Sequence, residues 1–372
     1  MKPLANWPIG TSANYQPFFI MKRIISGIQQ VGIGVANADE AFRWYRKIFG
    51  TDIVVFKDAA TASLMKPYTG QQSHERYAIL ALNMQSGGGF EIWQYTSRTP
   101  QPSPVPIQVG DLGIYAVKIK CRDIQKTYSY YQQEGVNLLS SPANIPAGRY
   151  HFFLKDPYGN VFEVVEDDYW FTHNNQLTGA VCGVTIGVSS IEKSLPFYKK
   201  VLGYDIELYS GEGSFEDLKG LPGGEHRFKR VLLGHSRKLE GAFSKLLGPT
   251  HIELIQVIDR TPYKIYQNRY WGDLGFIHVC FDINGFPEHE EICKANNAPL
   301  TVDSANSFDM GEAAGHFAYN EDPDGTLIEY VETHRVPILK KIGWYLDLRK
   351  RNPEKPLPNW MVKSLSFSRV KD

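Results

Sequence analysis

The stretch Ile28-Gln29-Gln30-Val31-Gly32-Ile33-Gly34-Val35, followed by a segment ending Trp44-Tyr45-Arg46-Lys47-Ile48-Phe49-Gly50, returns 153 positions later. There it reads Val181-Cys182-Gly183-Val184-Thr185-Ile186-Gly187-Val188, with a segment ending Phe197-Tyr198-Lys199-Lys200-Val201-Leu202-Gly203. Self-similarity at a fixed offset identifies the unit that folds, so it ranks above any local reading. The correspondence continues outward. Glu91-Ile92-Trp93-Gln94 with Arg98-Thr99-Pro100 matches Glu253-Leu254-Ile255-Gln256 with Arg260-Thr261-Pro262. Gly110-Asp111-Leu112-Gly113 matches Gly272-Asp273-Leu274-Gly275, and Asp156-Pro157-Tyr158-Gly159 matches Asp322-Pro323-Asp324-Gly325. The chain is a tandem duplication, and each half divides again: a strand, a helix and strands ending at Glu91 precede another such set ending at Glu163. The second half repeats this with Glu253 and Glu329.

Within a module the elements follow from spacing. Residues 38 to 49 place Phe42, Tyr45, Ile48 and Phe49 at helical intervals, with Asn37 or Asp39 as N-cap and Gly50 where a left-handed C-cap belongs. The copy has Ser189 and Glu192 in capping-box spacing, but Pro196 falls inside it and removes a backbone donor. Stretches 114–119 and 276–283 are short and rich in Val, Ile and Phe, as strands are. Asp-Pro-Tyr-Gly and Asp-Pro-Asp-Gly supply proline and glycine where a hairpin turn needs them. Each module is then βαβββ, and because one such sheet cannot bury its face alone, modules pair. The fold class is α+β, with four modules making two cupped, barrel-like mixed sheets. The expected divisions are an extension 1–23, modules at 24–100, 101–172, 173–262 and 263–333, and a basic extension 334–372. Ile342, Trp344, Tyr345, Leu346 and Leu348 would give that last segment the apolar side of a short helix.

Composition narrows the function classes. The 372 residues carry 40 basic and 40 acidic side chains, and a net charge of zero argues against nucleic acid as a partner. The sum hides opposites: residues 334–372 hold ten Lys or Arg against three Asp or Glu, which leaves the body acidic. Such a tail suits docking on the protein's own body better than on a membrane. No apolar run approaches the roughly 18 residues of a membrane span. Cys121, Cys182, Cys280 and Cys293 show no C-x-x-C spacing, and the first twenty residues lack the pattern of a secretory signal. A reduced, cytoplasmic protein is expected, and Met21 is a candidate start.

The four modules in register resemble the vicinal oxygen chelate superfamily, which includes glyoxalase I, extradiol dioxygenases, methylmalonyl-CoA epimerase and bleomycin-resistance proteins. The hairpin followed by Val161-Phe162-Glu163 or Leu327-Ile328-Glu329 is the best marker, and the resemblance spans about residues 24 to 333 by module count. It implies a divalent metal held by one residue from each module's first strand and a Glu from each last strand. The first-strand positions are Gln30, Ala116, Gly183 and His278; the last-strand positions are Glu91, Glu163, Glu253 and Glu329. An inward carboxylate on a curved sheet is costly unless paired or metal-bound, so four of them ask for an explanation. His278 taken alone, in an apolar strand, reads as a hydrogen-bonded core residue; its register with the glutamates favours a ligand.

Pairing decides where a site is complete. Pairing within each half leaves both sites short of a ligand. Pairing of modules 1 with 4 and 2 with 3, as in fused four-module glyoxalases, gathers Gln30, Glu91, His278 and Glu329, a set that resembles that of glyoxalase I. The other pair, with Ala116, Glu163, Gly183 and Glu253, is then a degenerate centre. Zn, Ni, Mn, Co or Fe would suit the first set. The resemblance implies a lyase or isomerase that acts on a small substrate with vicinal oxygens through an enediolate, with Glu329 as base and Glu91 second. An extradiol-type dioxygenase is the poorer reading, because Gly183 stands at a first-strand position and His251 would have to substitute. A third reading is a metal-free protein that sequesters small molecules, with Trp44, Trp93, Tyr95 and Tyr115 lining the cup. Gly34 and Tyr95 stand where glutathione-using relatives have Arg and Asn, which speaks against glutathione. Because four modules supply every pairing within one chain, a monomer is expected rather than a homodimer.

Overall fold

The computed structural model describes residues 22–305, 308–309, 314–339 and 344–370. Most of the N-terminal extension, Met21 included, and Ile342 of the tail lie outside the described residues. Module 1 runs β1 (Ile24–Gly34), α1 (Ala38–Phe49), β2 (Ile53–Thr61), β3 (Glu75–Leu82) and β4 (Gly89–Tyr95). Module 2 has β5 (Gly113–Cys121), α2 (Ile124–Gln133), two short pieces β6 (Asn137–Leu138) and β7 (Ala143–Asn144), then β8 (Tyr150–Lys155) and β9 (Val161–Glu166). Module 3 has β10 (Thr178–Gly187), α3 (Ile191–Pro196), β11 (Ile206–Gly213), β12 (Phe228–Gly234), the single turn α4 (Ser244–Leu247) and β13 (His251–Val257). Module 4 has β14 (Gly275–Asn284), α5 (Phe286–Ala295), β15 (Val302–Asp303), β16 (Phe308–Asp309), β17 (Ala314–Glu321) and β18 (Leu327–Thr333).

The helices begin and end where capping chemistry is available. The Asn37 side chain accepts from the Glu40 N–H, and Gly50, at φ 63°, closes α1 with its N–H on the Arg46 carbonyl. In the copy Ser190, not Ser189, is the cap; it accepts from the Lys193 N–H. The helix passes Pro196 and widens into a π-helical turn over Phe197–Val201, which absorbs the missing donor.

Strand order answers the pairing question. One sheet runs β15-β17-β18-β14-β1-β4-β3-β2 with β16 on β17, and the other runs β11-β12-β13-β10-β5-β9-β8-β6 with β7 on β8. Modules 1 and 4 therefore share a cup through the antiparallel β1–β14 pair, in which Gln30 faces Cys280 and Gly32 faces His278. Modules 2 and 3 share the other through β5 and β10. The convex faces and the helices meet in one core that includes Tyr45, Phe49, Phe90, Phe162, Tyr198 and Phe281. Across it, Tyr45 donates to Asp156 at 2.6 Å and Tyr198 to Asp322 at 2.7 Å, so each hairpin turn is tied to the helix of the preceding module. The turn aspartates also accept backbone N–H groups of their own hairpins, Asp156 from Tyr158 and Asn160 and Asp322 from Asp324 and Thr326.

The repeated Arg-Thr-Pro segments are expected to mark linkers, but their arginines do more. Arg98, at the end of module 1, donates to Asp273 at 2.5 Å, at the start of module 4. Reciprocally, Arg260 of module 3 donates to Asp111 of module 2 at 2.7 Å. Both aspartates are buried and also accept backbone N–H groups, Asp273 from Gln101 and Tyr270, Asp111 from Gln108 and Tyr263. These clasps hold the module pairs in register. Asp273→Ala is expected to destabilise the fold by about 3 kcal/mol, since it orphans two backbone donors and a guanidinium; urea unfolding would measure it.

The tail departs from its expected helix. Residues Arg335–Leu339 and Trp344–Asp347 form a two-stranded hairpin, β19 and β20, and α6 (Asn359–Lys363) is a later short helix. Trp344, Leu346 and Leu348 alternate with a period of two, which suits a strand. Leu346 and Leu348 pack beside Ile53, Leu82 and Leu246, so the tail docks on modules 1 and 3.

Candidate metal centre

Alternation brings the predicted residues of modules 1 and 4 onto one concave face. Glu91 sits opposite Gly32 across the parallel β1–β4 pair, and Glu329 opposite Cys280 across β14–β18. Gln30 and His278 each lie two residues before those partners, on the same face. The His278 imidazole reaches its place only because Gly32 is opposite: a Cβ there would lie 2.4 Å from the His278 Cε1 atom.

The result is a tight cluster. His278 Nε2 lies 3.0 Å from a Glu329 oxygen and 3.5 Å from a Glu91 oxygen. Ligand atoms of Glu91, His278 and Glu329 all fall within 4.8 Å of one another. Gln30 Nε2 donates to Glu329 at 3.4 Å. Trp271 stacks parallel to the imidazole and Tyr319 meets it edge-on. Burial, and then the neighbouring Glu329, push the Glu91 carboxyl up to about 7. Burial opposes charge on His278, yet Glu329 and Glu91 outweigh it and raise the imidazole.

These residues fit a divalent cation. The buried Gln30 Oε1 has no hydrogen-bond partner, and neither His278 ring nitrogen makes one of good geometry despite the carboxylates nearby. Two carboxylates, one imidazole and an amide oxygen converge there with polar atoms left unpaired, an arrangement that could hold a divalent cation. Beside them lies a cavity of about 250 Å³, bounded by Phe56, Arg76, Trp93, Trp271 and Phe317, onto which Glu91 and Glu329 open.

The cup of modules 2 and 3 is built differently at the corresponding spot. Glu163 and Glu253 are both present, buried and inward. Between them sits the ammonium of Lys118, bonded to Glu163 and, at 2.7 Å, to Glu253. Arg230 donates to Glu253 at 2.7 Å and to both oxygens of Asp217. His151 Nδ1 lies 2.8 Å from Glu163. Lys118 takes a route opened by the vanished ligands, for a Cβ on Gly183 would press its Cδ at 3.1 Å. Burial alone would raise the Glu253 carboxyl, but Arg230 and Lys118 more than reverse it and hold it well below the carboxylate range. Glu163 is likewise lowered, by Lys118 and His151 against burial. His251 stays out of this cluster; burial and then Arg149 depress its imidazole to about 4.

Residues 27–164 match the family model of the Glyoxalase/Bleomycin resistance protein/Dioxygenase superfamily. A variant of glyoxalase I from Zea mays is similar in fold at 17% identity and TM-score 0.54, with 84% of this chain and 92% of that one covered. A candidate dioxygenase from Bacillus subtilis aligns at 12% identity and TM-score 0.54, covering 83% of this chain and 85% of that one. No curated protein matches in sequence. Residues 27–164, most of modules 1 and 2, carry the match to that superfamily, and the likeness to the solved structures in fold extends over both cups. Of the two cups, one gathers Gln30, Glu91, His278 and Glu329, and the other places the Lys118 ammonium between Glu163 and Glu253. Trp44 packs against Tyr45 and Phe49 in the core and Tyr115 lines the second cup's apolar cluster, whereas Trp93 borders the cavity and Tyr95 meets Trp93 edge-on. No helix among the described residues is long and apolar enough to cross a membrane.

Proposed function

We propose that the protein is a divalent-metal lyase or isomerase that moves a proton on a small substrate bearing vicinal oxygens, at the centre formed by modules 1 and 4. The convergence of Glu91, His278 and Glu329 beside a cavity carries this reading. The bound ion, Zn, Ni, Mn, Co or Fe, would supply Lewis acidity to two neighbouring substrate oxygens. Gln30, Glu91, His278 and Glu329 would hold it. Trp93, Trp271 and Phe317 wall the cavity and exclude water from the reacting carbon.

The base is one of the two carboxylates. Sequence position ranks Glu329 first, but the geometry supports Glu91. Glu329 is fixed by Gln30 and lies closest to His278, whereas no hydrogen bond among the described residues fixes the Glu91 carboxylate. A carboxylate free to swing is better suited to take a proton at the adjacent carbon. A single imidazole in the set speaks against extradiol cleavage, which resembles two-histidine chemistry. Both cups are completed within the chain, which supports a monomer.

The test is proton exchange. Metal-loaded protein in D2O, offered α-hydroxyketones and hemithioacetals of several thiols, is expected to replace the C–H beside the carbonyl with deuterium, as followed by NMR. Glu91→Gln is expected to slow this by about 100- to 10,000-fold. Metal-loaded protein that binds such compounds without any exchange would point to sequestration instead.

A further inference from the structure

A second and larger hollow, of about 460 Å³, lies on the same concave face as the candidate metal centre. Its position follows from register. Phe56 pairs with Leu80 and Leu80 with Glu91, so the three side chains form a row across β2, β3 and β4 on one face. Leu82 is two residues beyond Leu80, and Val331 two beyond Glu329, so both continue that face past the ligands. Phe56 borders the 250 Å³ cavity on one side and the 460 Å³ hollow on the other. The two are neighbours that share the Phe56 side chain as a wall, with Leu80 and Val331 of the hollow lying in register beside Glu91 and Glu329. The hollow is predominantly apolar, and it is closed by parts of the chain outside modules 1 and 4: Leu246 and Leu247 of α4, and Val336 and Leu365 of the C-terminal extension.

We infer that this hollow is the subsite for a hydrocarbon tail of the substrate, an alkyl or aryl chain attached to the oxygen-bearing head that sits at the ligand set. The inference rests on the metal-centre reading above and adds to it the substrate's class: a lipophilic compound rather than a small polar one. The link between head and tail is the shared Phe56 wall, past which a chain held at Glu91 and Glu329 would run into the hollow. The volume falls within the range that encloses a small-molecule ligand. The C-terminal extension then acts as the tail subsite's wall, a role distinct from merely covering the body.

The full-length, metal-loaded protein tests this with a series of hydroxamates, whose two vicinal oxygens supply the head, from acetohydroxamate to decanohydroxamate. Affinity measured by calorimetry is expected to rise about fourfold per added methylene while the tail enters the hollow. Leu365→Trp, which fills the hollow from the extension, is expected to abolish that rise and leave acetohydroxamate affinity unchanged. If acetohydroxamate binds but lengthening the chain gains nothing, the tail subsite is overturned while the metal centre stands; if acetohydroxamate fails to bind the loaded protein, the metal reading itself falls. Equal affinity for decanamide, which lacks the chelating pair, would overturn the link between head and tail. Chain-length independence with a dimer in light scattering would assign the hollow to a second copy and overturn the inference as well.

Discussion

Lys118→Met is expected to destabilise the protein by about 3 to 5 kcal/mol, because it removes the cation from between two buried carboxylates. Glu163 and Glu253 would keep Arg230 and His151 as partners but lose the charge that both share. Chemical denaturation measures the loss, and Lys118→Arg is a poor rescue because a planar guanidinium does not fit a site shaped for a point charge. The same cluster sets an acid limit. Glu163 and Glu253 have folded-state values below the unfolded carboxylate range. Their contribution is therefore fully present above pH of about 4.3, the unfolded value, and fades as pH falls through the folded ones. The wild type is expected to lose stability steeply below that point, and Lys118→Met less steeply. An unchanged acid slope in the variant would show that the lysine does not hold these carboxylates ionised.

His278→Ala and Gln30→Ala are expected to weaken divalent-metal affinity, the histidine change by on the order of 100-fold or more, since even residues that only support ligands are worth 10- to 100-fold. Elemental analysis of the wild type should give one ion per chain, with Glu163→Gln leaving that number unchanged. Saturating metal at about 100 times the dissociation constant should add about 2.7 kcal/mol of stability, a gain His278→Ala forfeits. Because Gln30 of module 1 and His278 of module 4 meet at Glu329, the double variant should be less than additive. Two ions per chain, or metal content indifferent to His278, would refute the assignment.

The repeats carried the architecture because each copy had to bury the same faces, so register survived where identity drifted. The meeting of Gln30, Glu91, His278 and Glu329 on one face was legible for the same reason: a first-strand position and a last-strand Glu are fixed relative to one another by the sheet. Lys118 was missed. Ala116 and Gly183 read as lost ligands, and nothing at those two positions says that a side chain two residues on has filled the gap. The available signal was parity, because Lys118 shares the inward face of Ala116 and, with Lys120, interrupts a strand that is mostly apolar. Arg230 and Asp217 were beyond reach, since their meeting depends on how the β11–β12 connection folds over the cup. In the tail, Trp344, Leu346 and Leu348 alternated in plain view, but the clustering of Trp344, Tyr345 and Leu346 favoured a helical reading.

The nested pairing of modules also sets an order of assembly. The cup of modules 2 and 3 is made from neighbours in the chain, so its strands are complete once β13 has left the ribosome. The cup of modules 1 and 4 must wait, because β1 finds its partner only in β14, after some 240 intervening residues. Loop closure of that length is slow compared with local pairing, and domains of a growing chain fold as their parts emerge. The lysine-centred cup is thus able to stand without any ion while module 1 is unpaired. Gln30 and His278 cannot meet until nearly the whole chain is made, so a stalled or truncated product would be folded in its middle and blind to metal.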